Sequence, residues 1–460
     1  MDPLTRVLST VVLIVAVSRV APARANPAEV FGFGSRHAGK AGAVAASCDD
    51  FAAGYYNPAG LAFGAGKRLT LGVAGFASNL AVNDDRVSIT EPVGLVIGAT
   101  TPAPLGGPLA GRLHIGIGLY LLPATVVQVI ARFPDEPFYP YYDNRTQRIV
   151  VLPTIAVRVR DDLSIGATIN YLATLDGKVV SSEGATRALE ARVDEEIPSV
   201  ARINAGLRWR PGMLGGDFDL ALVFRQEFSI PFATAAENQV AGEPIDLDIS
   251  ADGLYTPMQL VAGTSWHPAA NRELSVDLTW ARWSAYPGPY VEVRSALPLV
   301  GPLVGEIPEV PFRDVFGIRV GGEVFLPAWR AGAGYALRGG YAFETSAVPP
   351  EQPGVTNLLD GNKNTVALGF GVLFPDAMGG HPVRLDLHAR AQLVSRRTIR
   401  KVIDYDPDNS YDSFTALRDE VADDPGSPES LGAQISNPGY PDLRSGGQVY
   451  SGGITAEVGF

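Results

Sequence analysis

Residues Gln448 to Phe460 restrict the fold more than any other stretch of the sequence. Tyr450, Gly452, Ile454, Ala456, Val458 and Phe460 occupy one side of a two-residue period, and Ser451, Thr455 and Glu457 occupy the other. The sequence stops on an aromatic ring. A strand that is oily on one face and polar on the other, with aromatics near both ends, fits the closing strand of a transmembrane β-barrel. A soluble sandwich strand can alternate in the same way but rarely stops on its final aromatic.

The same alternation recurs back to Lys67 in segments of about ten residues separated by turn residues. The candidate strands are Lys67–Asn79, Pro92–Thr101, Arg112–Leu122, Arg148–Arg160, Asp162–Leu175, Ser199–Arg210 and Asp217–Ser229. They continue with Pro257–Trp266, Glu273–Trp283, Phe312–Phe325, Ala331–Glu344, Asn364–Phe374, Val383–Val394 and Gln448–Phe460. The connections alternate between long and short: Pro123–Gln147 is long and Asp161 is a tight turn, Ile230–Thr256 is long and His267–Arg272 is short. Ser395–Gly447 is the longest. Membrane barrels have short turns on one side and long loops on the other, and a soluble all-β protein has no reason to keep this beat. The expected fold class is therefore an all-β transmembrane barrel of about fourteen antiparallel strands.

Composition agrees. The 460 residues are 46% hydrophobic and only 19% charged, yet long helical runs of Leu and Ala are scarce. The net charge of −12, with no basic patch, argues against a nucleic-acid partner. One cysteine, Cys48, excludes an internal disulfide and a cysteine metal cluster, and small apolar neighbours make it a packing residue. The uncharged run Leu113–Ala131 approaches the length of a membrane helix, but Gly116, Gly118 and Pro123 interrupt it and its first half alternates. At the N-terminus, Arg6, the apolar stretch Val7–Val17 and the A-x-A sequence Ala23-Arg24-Ala25 form an export signature. The expected division is a signal peptide over 1–25, a compact segment over 26–66 and the barrel over 67–460.

Charged members of the strands must face inward, because a Lys or Arg on the lipid face costs about 2–4 kcal/mol at mid-membrane. This places Arg202, Arg208, Arg319, Arg338, Arg384 and Arg390 in the lumen with Asp277, Glu323 and Asp386. A salt-bridge lattice that fills the lumen and holds a plug is the plainer account of any one arginine. The sharper account gives one or two of them the carboxylate of an entering amphiphile.

Asn26 to Gly66 is unlike the rest: rich in Ala and Gly, without alternation. Ser35 is a candidate cap for a short helix through Ala46, Asp49 or Asp50 for another beginning at Phe51, and Asn57-Pro58 suits a turn with Pro58 at a first helical position. The run from Gly32-Phe33-Gly34 through Asp49-Asp50-Phe51-Ala52-Ala53-Gly54-Tyr55-Tyr56-Asn57-Pro58-Ala59-Gly60-Leu61 resembles the hatch of the FadL/TodX family of outer-membrane transporters for fatty acids and hydrocarbons. Weaker likenesses follow at Trp283-Ser284, at Arg319-Val-Gly-Gly-Glu323, and from Arg338-Gly-Gly-Tyr341 through Pro349-Pro350 to Asp360. The very long final loop departs from the better-known members.

The resemblance implies a fourteen-stranded barrel with a small helical N-terminal hatch in its lumen. It also implies passive inward passage of a hydrophobic molecule, captured at the outer loops and released by hatch movement or through a gap in the wall. Phe31, Phe33, Phe51, Tyr55, Tyr56, Asn57, Pro58, Ala59, Leu61 and Phe63 are then the candidate hatch and ligand-binding residues, and Leu297, Leu299, Val300 and Leu303 a landing groove. Packing of the plug alone would also account for the hatch residues. Pro153 and the Gly116/Gly118 pair are candidates for irregular strand geometry. The expected localisation is the outer membrane of a Gram-negative cell. The expected partners are a fatty acid or hydrocarbon, outer-membrane lipid, and barrel-assembly machinery that reads the Phe460 strand, with the protein a monomer.

An outer-membrane hydrolase needs a nucleophile, a base and an orienting group together. None of the five histidines, His37, His114, His267, His381 and His388, sits in a nucleophile motif, and His388 with Asp386 is the best pair. The protein is therefore expected not to be an enzyme. A structural or adhesive barrel has no need of a gated lumen. Asp404-Tyr405-Asp406-Pro407-Asp408 lacks the Gly and terminal Glu of an EF-hand, and no cofactor or metal is expected.

Overall fold

The computed structural model describes residues 30, 32–87, 89, 91, 93–121, 136–143, 149–173, 176–183, 189–196, 199–212, 217–240, 243–286, 288, 291–295, 310–326, 332–353, 356–377, 379–402 and 438–460. At 143, 171–173, 176–183, 189–196, 199–200, 228–240, 243–254, 291–295 and 353 the backbone alone is described. The export signature, the Asp404–Asp408 cluster and the landing-groove residues Leu297, Leu299, Val300 and Leu303 lie outside the described residues. No described helix is long and apolar enough to cross a membrane.

Fourteen antiparallel strands form a closed barrel. In chain order they are β1 (Arg68–Val82), β2 (Val93–Pro102), β3 (Leu113–Leu121), β4 (Val150–Arg160), β5 (Leu163–Ala173), β6 (Ser199–Trp209) and β7 (Phe218–Arg225). The other half comprises β8 (Gln259–Ala269), β9 (Arg272–Ala281), β10 (Val315–Leu326), β11 (Gly334–Glu344), β12 (Lys363–Phe374), β13 (Val383–Val402) and β14 (Asp442–Gly459). Each pairs with its neighbours in sequence order, and β14 closes the ring by pairing with β1 from Arg68↔Gly459 to Val82↔Ser445. Closure leaves no strand edge open within the membrane, as lipid demands.

The pleat sorts the side chains. Leu222 (56% exposed), Phe316 (58%) and Leu368 (66%) stand with many other aliphatics on the outer face. A patch of that extent would aggregate in water, whereas in a bilayer it is the contact surface. The opposite face of the same strands carries buried Thr154, Asn204, Asp277, Arg338 and Gln392. Glu457 and Thr455 of β14 face inward against Tyr450 outside.

Two features extend beyond the alternating pattern. A register shift follows Val394 in β13. It reverses the phase, so that Leu385, Leu387 and Leu393 are exposed before it and Arg396, Thr398 and Arg400 after it. The ladder between β13 and β14 continues past that bulge, so the segment expected as one loop over Ser395–Gly447 begins and ends as a projecting hairpin. The long connections also build a second sheet. Its strands are Asp176–Glu183, Leu189–Glu196, Phe228–Val240, Glu243–Thr256 and Val291–Ser295.

Candidate functional site

Val30 to Gly66 lies inside the cylinder, seated on glycines of the wall. A Cβ at Gly98 would fall within the Phe51 ring, and one at Gly118 would meet Phe33. Gly166 and Gly206 face Pro58 and Asn57, Gly263 faces Ala45, and Gly321 and Gly340 face Lys40. These positions span β2 to β11, so the segment touches most of the inner circumference. Gly116 and Gly118, expected as irregular points, pair continuously with both neighbouring strands and instead make room for Leu61 and Phe33.

The segment is built of tight turns rather than helices. Gly34, at φ 77°, adopts a conformation that strains any side chain and caps a single helical turn, Ser35–Ala38. The helix expected to run through Ala46 stops there because Gly39 packs flat on Gly369 of β12. A Cβ on Gly39 would come 2.8 Å from the Gly369 Cα. The second helix is also one turn, Ala53–Tyr56, and Asp50 Oδ1 accepts from the Ala52 N–H ahead of it at 2.9 Å. Asn57 does cap its helix, the 3₁₀ turn Pro58–Phe63, by accepting from Ala59 N–H at 3.1 Å. Its amide donates to the Ala45 carbonyl at 2.7 Å and to the Leu207 carbonyl of β6 at 3.2 Å, tying the segment to itself and to the wall.

Charge holds the other half. Lys40 Nζ donates to Glu273 Oε1 at 2.7 Å, with both side chains buried. Asp277 Oδ2 accepts from Val44 and Ala45 N–H at 2.8 and 3.0 Å. Arg36 donates to Asp49 at 2.7 Å and faces Glu323 at 3.9 Å, while His37 Nε2 is 2.8 Å from Asp50 Oδ2. Burial works to raise the Asp50 carboxyl, but the His37 ring with its hydrogen bond and then Arg36 outweigh it and hold Asp50 well below the carboxylate range. Asp49 is held low against burial by Arg36 and Arg68. Burial, then the Asp50 and Asp49 carboxylates, push the Cys48 thiol up.

Each expected hatch residue except Phe31, which lies outside the described residues, has a definite place. Phe33, Phe51, Tyr56 and Leu61 share one buried apolar cluster with Tyr55 packed against it. Asn57, Pro58 and Ala59 sit on the wall, and Phe63 lies under the Arg208 guanidinium, 4.7 Å from its ring centre. Among the expected lumenal arginines, Arg208 meets Asp219 at 3.0 Å and Arg319 meets Glu344 at 2.8 Å. Arg338 binds Glu323 and, at 2.7 Å, Asp386. Arg384 stands across the ladder from Glu457. Arg202 and Arg390 keep a buried Nε without a hydrogen-bond partner among the described residues.

Sequence reasoning missed the upper layer of the lumen. At the long-loop end, Tyr139, Tyr141, Tyr142, Tyr255, Trp283, Tyr286 and Phe312 form a buried aromatic cap. Tyr255 stacks on Tyr286 at 4.7 Å, and Tyr286 packs on Phe312 at 4.8 Å. Tyr142 Oη donates to Gln392 Oε1 on the inner face of β13 at 2.6 Å, and Tyr139 Oη donates to the Ala81 carbonyl of β1 at 2.7 Å. A long connection therefore folds down into the barrel mouth. The run Phe138-Tyr139-Pro140-Tyr141-Tyr142 was its visible signal. Arg225 was also missed: it donates to the carbonyls of Tyr55 and Tyr56 at 3.0 and 3.2 Å, and it sits on the expected inner face of β7.

Plug and wall border a cavity of about 20 Å³, room for roughly one water, lined by Arg225, Arg319, Arg390, Asp277, Glu344 and Tyr55 among others. As arranged, the described lumen has an apolar ceiling, a charged middle and a floor of turns. In the wall, Pro153 points outward and the β4–β5 ladder skips Leu152 and Pro153 between Val151↔Tyr171 and Thr154↔Thr168.

No family model matches the sequence, and no curated protein matches it either. Solved structures do match. A FadL homologue from Pseudomonas aeruginosa is 12% identical with a TM-score of 0.53, covering 95% of this chain and 98% of that one. The monoaromatic hydrocarbon channel CymD is 16% identical with a TM-score of 0.53, at 94% and 98% coverage. The P. putida toluene transporter TodX is 14% identical with a TM-score of 0.53, at 94% and 99% coverage.

Proposed function

From the fold the chain has, the closed membrane barrel of the FadL and TodX proteins, we propose that it is a passive channel of the Gram-negative outer membrane for hydrophobic compounds, long-chain fatty acids or related hydrocarbons. The observation that carries the reading is the stacking of an aromatic ceiling over a seated plug inside a lipid-facing cylinder. Rings at the outer mouth desolvate an apolar molecule above the charged middle of the lumen. The plug, Asn26 to Gly66, then admits it by rearranging between two packings. Release follows past the plug toward the periplasm or sideways at the Pro153 gap, where two rungs of the ladder are missing. The mature chain starts at Asn26, works as a monomer and is delivered through its Phe460 strand to the barrel-assembly machinery.

Deleting residues 26–66 tests the gate. Planar-bilayer recordings are expected to show the deletion as an open ion-conducting pore, and uptake of labelled oleate or toluene to lose its preference for one over the other. Selectivity and flux equal to those of the intact protein would sink the gating role.

A further inference from the structure

The transport reading leaves one side-chain cluster unused. His37 comes from the turn Ser35–Ala38, Cys48 from the turn that follows Val44, and Asp50 from two residues further on. Cys48 Sγ lies 3.5 Å from His37 Nε2 and 3.9 Å from Asp50 Oδ1, and Nε2 lies 2.8 Å from Asp50 Oδ2. The donor atoms all fall within 4.8 Å of one another, and all three residues are buried. Phe33, Val44, Phe51 and Tyr56 make the surrounding shell apolar. The nearest cation, Arg36, is 4.0 Å from Asp50 but is engaged by Asp49 at 2.7 Å.

We propose that His37, Cys48 and Asp50 bind one divalent metal ion of borderline softness, Zn²⁺ before others, and so clasp two turns of the plug together. Thiolate, imidazole and carboxylate is a donor set for zinc, whereas Ca²⁺ and Mg²⁺ prefer oxygen alone. Zinc bonds of about 2.0–2.3 Å at tetrahedral angles put adjacent donors about 3.3–3.7 Å apart. The sulfur–imidazole separation already fits. The two carboxylate oxygens divide the contacts, Oδ1 toward the sulfur and the Ala52 N–H and Oδ2 toward the ring, so Oδ2 has to swing about 0.5 Å away from Nε2 to satisfy the same geometry. The protein leaves the ring free to adapt, because His37 Nδ1 has no hydrogen-bond partner among the described residues. With its proton on Nδ1, the ring presents the Nε2 lone pair to the ion. On binding, the Cys48 S–H bond and the His37 Nε2–H bond toward Asp50 break, sulfur and nitrogen keep the electron pairs as the Zn–S and Zn–N bonds form, and both protons leave to solvent. A water completes the fourth position. The sealed shell makes this a structural ion, acquired as the plug folds.

The test uses the mature protein extracted from membranes in detergent, or refolded with Zn²⁺ or Co²⁺, then dialysed and analysed for bound metal. The expected content is about one zinc per chain in the intact protein and roughly a tenth of that in Cys48→Ala, with heat-modifiable gel migration confirming that the variant's barrel is folded. Should Cys48→Ala fail to fold, the Co²⁺-loaded intact protein decides: a sulfur-to-cobalt charge-transfer band in the near ultraviolet is expected. Absence of that band, zinc content near zero in the intact protein, or equal zinc in folded Cys48→Ala each overturns the site. None of these readouts depends on cargo or flux, so failure here leaves the channel reading standing, and failure of the uptake test leaves the metal site standing.

Discussion

At the residue scale the lumen is governed by a few buried charges, of which Lys40 is the clearest. It is 1% exposed, and its ammonium pairs with Glu273 across the boundary between plug and wall. Replacing it with Met strands a buried carboxylate that keeps only neutral hydroxyl donors, Ser275 at 2.8 Å and Ser47, close by, with Arg36 as the remaining charge acting on it. Breaking one side of such a pair costs about 3–5 kcal/mol, whereas removing both sides is often close to neutral. Lys40→Met is therefore expected to speed hydrogen exchange across the segment from Ser35 to Cys48, and Lys40→Met combined with Glu273→Leu to restore most of the protection. The Asn57-Pro58-Ala59 anchor was readable in the sequence because its cap and turn chemistry is local. The glycines that receive it, Gly166 and Gly206, were not, since each looks like any other strand glycine until the plug is in place.

At the element scale, the fourteen strands were legible because a membrane on one side and water or polar plug on the other force alternation on every one of them. The strand ends were less so: β9 stops at Ala281, and Trp283 belongs to a 3₁₀ turn within the aromatic cap. The five-stranded second sheet, built from the connections, was not read as strands. The plug's expected helices failed because its path follows the notches of the wall instead of its own propensity. Ala41 packs in a buried cluster with Ala342 of β11. A disulfide between cysteines placed at these two positions holds the first half of the plug to the wall. Oxidation is expected to cut cargo uptake by an order of magnitude or so and reduction to restore it, as a pre-organised closed state cannot redistribute. Full uptake in the oxidised form would send the cargo sideways through the wall instead.

For the whole molecule, the ring closes without the outer projections, although Ile399 and Leu443 of the hairpin pack into the cap cluster. The β13–β14 hairpin continues beyond the bulge at Val394 without being needed for the ring, whose closing ladder with β1 starts at Ser445. Replacing residues 397–444 with a short turn is expected to leave heat-modifiable migration and the β-sheet circular dichroism signal unchanged while weakening cargo capture. Loss of the folded form would instead give the hairpin a part in barrel stability. One consequence follows from how the plug joins the cylinder. The 3₁₀ turn that ends at Phe63 is separated from β1 by Gly64 to Lys67 alone. Four extended residues reach about 14 Å at most. On so short a leash the floor cannot be expelled from its tube like a cork. An aperture through the plug itself has to open by reshuffling of the upstream half around Lys40, with the Pro58 end staying moored.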